Sequence, residues 1–235
     1  NTIPARGMMR HPSRPPVTER SALGTRTLAA RGVSFGYSQS ASVITDFDQE
    51  FSSGELIALT GPSGRGKSTL LYGLGLMLKP TVGSVTVDDQ PVSGLSDRRR
   101  AALRAHQFGF VFQDAALDVT RTVLDNVLET ALYRGERRHD LEDRALTLLD
   151  RFGVSLRARH KPGQVSGGQA QRIAVCRALL GDPSILLADE PTGNLDAVSS
   201  STVIEAMRAH ADRGAVVVIA THDRDVMDAC DRRVN

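Results

Sequence analysis

Gly61-Pro62-Ser63-Gly64-Arg65-Gly66-Lys67-Ser68 meets every fixed position of the pattern G-x-x-x-x-G-K-[ST]. The apolar run before it, Glu55 to Thr60, reads as a buried strand, and Lys67 to Leu76 reads as a helix. In that setting glycines let successive backbone N–H groups turn toward one anion, and the positive end of the new helix adds to their pull. Gly61 to Ser68, together with Thr69, is therefore expected to hold the β- and γ-phosphates of a nucleotide. Lys67 reaches those phosphates and the Ser68 hydroxyl is offered to Mg²⁺. A glycine-rich turn that binds nothing is the alternative, and strand, loop and helix in register count against it. Of the 29 basic residues 26 are Arg and 3 are Lys, so a Lys here is not incidental.

The chain has 235 residues, enough for one large domain or for a core carrying an inserted subdomain. A net charge of +2 gives no reason to expect nucleic acid as a partner, while a pI near 8.8 with scattered Arg suits a cytoplasmic membrane surface. Cys176 lies in a helical apolar pattern, and with Cys230 as the only other cysteine reduced thiols in a cytosolic protein are expected. There is no metal-ligand cluster of Cys and His. Apolar runs such as Val216 to Ala220 are far too short to span a membrane. Residues 1–25, with four prolines and four arginines, read as a disordered tail rather than a signal peptide, with Met8 and Met9 as candidate translation starts.

Short apolar strands alternate with helical patterns: Glu55 to Thr60, Phe108 to Phe112, Ser184 to Asp189 and Val216 to Thr221 are each followed by one. That alternation predicts an α/β fold with a mostly parallel sheet covered on both faces. Thr27 to Phe51 and Gly83 to Val92 are rich in β-formers and turn residues and predict an antiparallel β layer. From Gln113 to Val165 the strand signal disappears. Val123 to Tyr133 and Leu141 to Phe152 have apolar residues at helical spacing, so 113–165 is expected to be a helical subdomain inserted between core segments 26–112 and 166–235. Lys161-Pro162-Gly163 closes it.

Ile185-Leu186-Leu187-Ala188-Asp189-Glu190 is an apolar strand ending in two carboxylates. Beside a phosphate loop the first would hold Mg²⁺, usually through water, and the second would take a proton from an attacking water. Ser166-Gly167-Gly168-Gln169 precedes a helical run, Ala170 to Leu180; Ser166 reads as its N-cap, and the glycines bare a second anion-ready helix start. Standing alone, this segment would be an ordinary capped turn. His222 emerges after the strand Val216 to Thr221, where open α/β sheets bind ligands, and becomes a candidate for the γ-phosphate. Gln113 ends another strand, with an amide able to reach the metal or the lytic water. Tyr37 stacks on a purine or packs as an ordinary aromatic of the β layer.

Taken in order, the phosphate loop, Gln113, S-G-G-Q, the D-E strand, Asn194-Leu195-Asp196 and His222 resemble the nucleotide-binding subunit of ATP-binding cassette (ABC) transporters, a P-loop NTPase fold, over residues 26 to about 231. Lys79-Pro80-Thr81-Val82-Gly83, Phe108 to Gln113 and Thr122 to Val127 are similar to the branch that holds FtsE, LolD and MacB. The resemblance implies an ATPase using ATP and Mg²⁺, and a head-to-tail dimer with a second copy or a homologous subunit. Each ATP then lies between the phosphate loop of one subunit and Ser166 to Gln169 of the other. It also implies that Tyr37 stacks on adenine, that Ser68, Gln113 and Asp189 serve the metal, and that Glu190 is the base. His222 clamps the γ-phosphate, and Asn194 to Asp196 link the two sites.

An integral membrane permease is the implied partner, which places the chain at the cytoplasmic face of the membrane; an ATP-dependent regulatory or mechanotransmission role on such a partner is the alternative. Four positions depart from the family pattern. Arg65 replaces a small residue, Val165 a Leu and Asp118 a Pro, and the sequence stops soon after Asp231-Arg232-Arg233-Val234-Asn235, where a closing strand is expected.

Overall fold

In a computed structural model, which describes residues 26–36, 42–61 and 66–235, the backbone forms two sheets. One is antiparallel, built from β1 (Thr27–Gly36), β2 (Ser42–Ser52), β4 (Val82–Val87) and β5 (Gln90–Pro91) in the order β2-β1-β4-β5. The other is parallel: β3 (Leu56–Leu59), β6 (Phe108–Val111), β7 (Ile185–Asp189), β8 (Val216–Ala220) and β9 (Arg232–Val234) pair in the order β6-β7-β8-β3-β9.

The central strands of the parallel sheet are unbroken apolar runs because both of their faces are buried. Alternate residues serve two cores. Leu56, Leu186, Ala188, Val217 and Ile219 face one, packed by α6 (Gly167–Leu180) and α7 (Ala197–Asp212). Ile57, Leu59, Ile185, Leu187, Val216 and Val218 face the other, filled by α1 (Lys67–Leu74) and the antiparallel layer through Leu28, Phe35, Phe51 and Val85. Helix α6 lies so close to β6 that a Cβ on Gly109 would sit 2.5 Å from the Ala178 carbonyl oxygen, so a glycine is required there.

Three features differ from the sequence expectations. Helix α2 (Asp97–Gln107) was not foreseen, because none of its residues is buried and it presents no apolar stripe to read. Val123 to Tyr133 is two short helices, α3 (Val123–Val127) and α4 (Glu129–Arg134), broken at Leu128; α5 spans Arg138–Arg151. A closing strand is already inside the chain. Arg232 to Val234 forms β9 on the edge beside β3, with the Thr60 N–H donating to the Val234 carbonyl at 2.7 Å.

At the amino end of β7, His210 of α7 is buried and locks α7 to the turn before that strand. Its Nε2–H donates to the Pro183 carbonyl at 2.7 Å, and Nδ1 accepts from Arg213 at 2.8 Å, with Asp182 at 3.7 Å and Arg144 beyond. Burial holds its pKa below the ordinary 6.5. A native state that binds fewer protons than the unfolded chain loses stability as pH falls below that value. Urea unfolding midpoints are therefore expected to drop between about pH 7.5 and pH 5.5, and His210→Gln to flatten that dependence. An equal slope in the variant would assign it to other groups.

Candidate functional site

The carboxyl ends of β3, β6, β7 and β8 share one edge of the sheet, the place where open α/β folds receive ligands. After β3 the chain turns through Gly61 (φ 133°) and reaches Gly66, a left-handed N-cap of α1 at φ 92°. A Cβ on Gly66 would lie 2.9 Å from the Val43 side chain, so β2 closes over this turn. Lys67 Nζ donates to the Gly61 carbonyl at 2.9 Å, bringing the amine back across the loop. Ser68 and Thr69 occupy the first turn of α1, which packs on β7. Pro62, Ser63, Gly64, Arg65 and Tyr37 lie outside the described residues.

Asp189, the last residue of β7, is 2 % exposed, and its Oδ2 accepts from the Tyr72 hydroxyl at 3.1 Å. Burial, then the neighbouring Asp189 charge, pushes the Tyr72 pKa up to about 12, so the phenol remains a donor at neutral pH. Among the described residues no cationic side chain pairs with Asp189. A buried carboxylate in that position, with the Ser68 hydroxyl on the adjoining helix, is an oxygen donor set that fits Mg²⁺.

Glu190 follows at φ 46°, an uncommon conformation for a residue with a side chain. It is held by its own N–H donating to the Ala220 carbonyl at 2.9 Å and by Thr221 Oγ1 donating to Oε2 at 3.1 Å. His222 Nδ1–H donates to Glu190 Oε1 at 2.6 Å, while the His222 ring itself is well exposed. The sequence pointed to Glu190 and His222 separately; the β7–β8 pairing brings them into direct contact.

Ser166 caps α6, accepting from the Gln169 N–H at 3.2 Å while Gln169 Oε1 accepts from the Ser166 N–H at 3.0 Å. This reciprocal box leaves Ser166 and Gly167 at the surface. A Cβ on Gly168 would touch the Asn194 carbonyl oxygen at 3.0 Å, so the segment abuts Asn194 of the same chain. Asp196 caps α7 through the Ser199 N–H at 2.8 Å. No hydrogen bond or ion pair among the described residues joins Ser166 to Gln169 with Gly66 to Thr69.

The ABC transporter family model matches residues 44–193. The chain belongs to the ABC transporter family. It is 44 % identical over 197 residues to the lipoprotein-releasing system ATP-binding protein LolD of Granulibacter bethesdensis, covering 83 % of this chain and 86 % of that one. The dimeric structure of a bacterial ABC transporter cassette superposes with a TM-score of 0.83 at 32 % identity, covering 88 % of this chain and 93 % of that one. The post-hydrolysis state of that cassette, bound to ADP and Pi, matches at a TM-score of 0.81, again at 32 % identity and with the same coverage. This ABC cassette is accordingly an ATPase of the branch that includes LolD and FtsE.

Sequence reading missed the residues that hold the cassette's segment after β6. Gln113 is exposed in the bend there. Around it, Gln171 Nε2 donates to the Phe112 carbonyl at 3.2 Å, and the buried Arg177 donates to the carbonyls of Ala115 and Ala116 at 2.8 Å each. Both side chains belong to α6, the helix that begins at Ser166 to Gln169. Farther on, Asn126 is wholly buried and bonds the backbone of Asp118 in both directions, at 2.7 and 3.0 Å. Asp118 thus sits in a defined turn in place of the usual Pro. A buried polar residue inside an apolar helix is the only sequence signal that could have found Gln171 and Arg177.

Removing the Arg177 guanidinium strands two partly buried carbonyls, those of Ala115 and Ala116. Arg177→Met is expected to lower the unfolding free energy by roughly 2–4 kcal/mol in urea titrations, and Arg177→Lys by less. Equal stability of Arg177→Met and the parent would refute this account of the clamp.

Proposed function

We propose that this chain is the ATP-hydrolysing subunit of an ABC-type transport system, dimerising head-to-tail on ATP and driving a separate membrane permease. The observation that carries this is the pair of anion-ready helix starts, at α1 and at α6, which no hydrogen bond or ion pair joins among the described residues. Each has exposed or glycine-bared N–H groups and a positive dipole end. Two copies arranged head-to-tail would put both kinds of helix start on the same triphosphate.

In that arrangement Gly61 to Thr69 cradle the β- and γ-phosphates, Lys67 supplies positive charge, and Tyr37 takes the adenine. Ser166, Gly167, Gly168 and Gln169 act in trans. Ser68 and Asp189, with Gln113, would hold Mg²⁺, which when bound neutralises charge between the phosphates. Glu190, oriented by Thr221, takes the proton of the attacking water. His222, on the same carboxylate, is placed to contact the γ-phosphate. Asn194, abutting Gly168, and Asp196, at the start of α7, link the two sites. We assign the core to 26–112 and 166–235 and the helical subdomain to 113–165.

A cleft of about 630 Å³ opens between α2, β6 and α4. Its floor is the ladder of Phe108, Phe110 and Phe112, whose rings stack at 6.0 and 5.9 Å. Met77, Ala101 and Ala105 form one wall and Thr130 and Tyr133 another. No helix among the described residues is long and apolar enough to cross a membrane. An apolar cleft next to Gln113 suits a segment of such a permease and supports a location at the cytoplasmic face of the membrane. Transport is preferred to a purely regulatory role because the similar curated proteins include lipoprotein-releasing subunits at 41–44 % identity.

Glu190→Gln keeps the shape of the site and loses the proton acceptor. It is expected to bind ATP, to cut turnover at least a hundredfold and to accumulate an ATP-bound dimer by light scattering. Near-normal turnover would remove Glu190 as the base. Lys67→Ala should instead weaken equilibrium ATP binding. Mixing inactive Lys67→Ala with inactive Ser166→Arg should restore part of the activity, since each mixed dimer keeps one undamaged composite site; no rescue at any ratio, with the membrane partner present, would refute the trans arrangement.

A further inference from the structure

We propose that Tyr72 is a positioning residue for the metal-side carboxylate, setting how strongly Mg²⁺ tightens nucleotide binding in this chain. The inference rests on the reading of Asp189 as the carboxylate that serves Mg²⁺.

Tyr72 lies in α1, one turn beyond Lys67 and Ser68, and its hydroxyl crosses to Asp189 Oδ2 at 3.1 Å. This is a bond from a neutral donor to a buried carboxylate, the charge-assisted kind that fixes orientation as well as adding energy. It is the only donor to that carboxylate among the described residues, and it engages one oxygen while leaving Oδ1 without one. A carboxylate on the last residue of a strand can otherwise rotate about its Cβ–Cγ bond. Tying down Oδ2 leaves a single oxygen presented for coordination. Donors of this kind, one shell out from a metal, typically tune its affinity by 10–100-fold.

The phenol is itself held. Its ring packs on Phe112 with centroids 6.0 Å apart and planes tilted by 57°, and the Phe112 carbonyl is in turn fixed by Gln171 of α6. The hydroxyl is therefore aimed by α1 on one side and by the end of β6 on the other. Tyr72 joins the phosphate-loop helix, the Asp189 strand and the residue preceding Gln113.

The test separates geometry from folding. In a Glu190→Gln background, which prevents hydrolysis, the ATP affinity of the full chain is measured by equilibrium titration with Mg²⁺ and again with EDTA. The ratio of the two is the gain due to the metal. Tyr72→Phe keeps the ring and its packing and removes only the donor. It is expected to reduce that gain roughly tenfold while leaving the EDTA affinity as it was, and to lower the thermal midpoint because the buried Asp189 then lacks its donor. An unchanged gain overturns the inference. So does an equal fall with Mg²⁺ and with EDTA, which would mean that Tyr72 merely supports α1. If the chain with Tyr72 intact shows no gain from Mg²⁺, the assignment of Asp189 to the metal fails first and the inference falls with it.

Discussion

The parallel pairing of β7 with β8 is the constraint on which the site depends. Its register sets Asp189 opposite Ala220, and the next rung is the Glu190 N–H donating to the Ala220 carbonyl at 2.9 Å. That bond holds Glu190 in its positive-φ conformation and swings its carboxylate back over β8, where Thr221 and His222 reach both oxygens. A slip of one residue would turn every side chain of β7 to the opposite core and send Asp189 to the other face. Burial of both faces makes such a slip costly, so packing far from the nucleotide fixes the geometry of its carboxylates.

Helix α6 acts as a strut between two functional segments. Its first turn carries Ser166 to Gln169 at the surface, and its buried side directs Gln171 and Arg177 to carbonyls on either side of Gln113. A buried guanidinium gives up hydration, and desolvation accordingly pulls the Arg177 pKa below its usual value. Two short bonds to carbonyls offset that loss only while the segment keeps its shape. The segment from Phe112 to Ala116 is thereby rigidly referenced to the helix whose N-terminus would face a second subunit. The same segment forms part of the apolar cleft, which Phe112, Ala116 and Arg177 help to line.

Much of this was legible in the chain. The phosphate-loop pattern, the D-E strand and S-G-G-Q are local: their chemistry depends on residues within one turn of each other, and glycine or capping requirements at those positions leave few other readings. Strand runs were legible because two-sided burial demands continuous apolar residues. Helix α2 was not, since a helix with no buried residue has no periodic stripe, and β9 was not, since three residues carry too little pattern to declare a strand.

By itself the sequence determined the α/β class and the family, and it pointed to residues that the fold sets at the carboxyl edge of the parallel sheet, because each is encoded in short-range spacing and backbone chemistry. Only the tertiary structure decided that Glu190 contacts His222, that Tyr72 reaches Asp189 and that Arg177 grips the segment beyond Gln113. Those partners are 32, 117 and about 61 residues apart. No local rule relates them, and they meet because parallel strands separated by long crossovers are brought side by side when both faces of one sheet are buried.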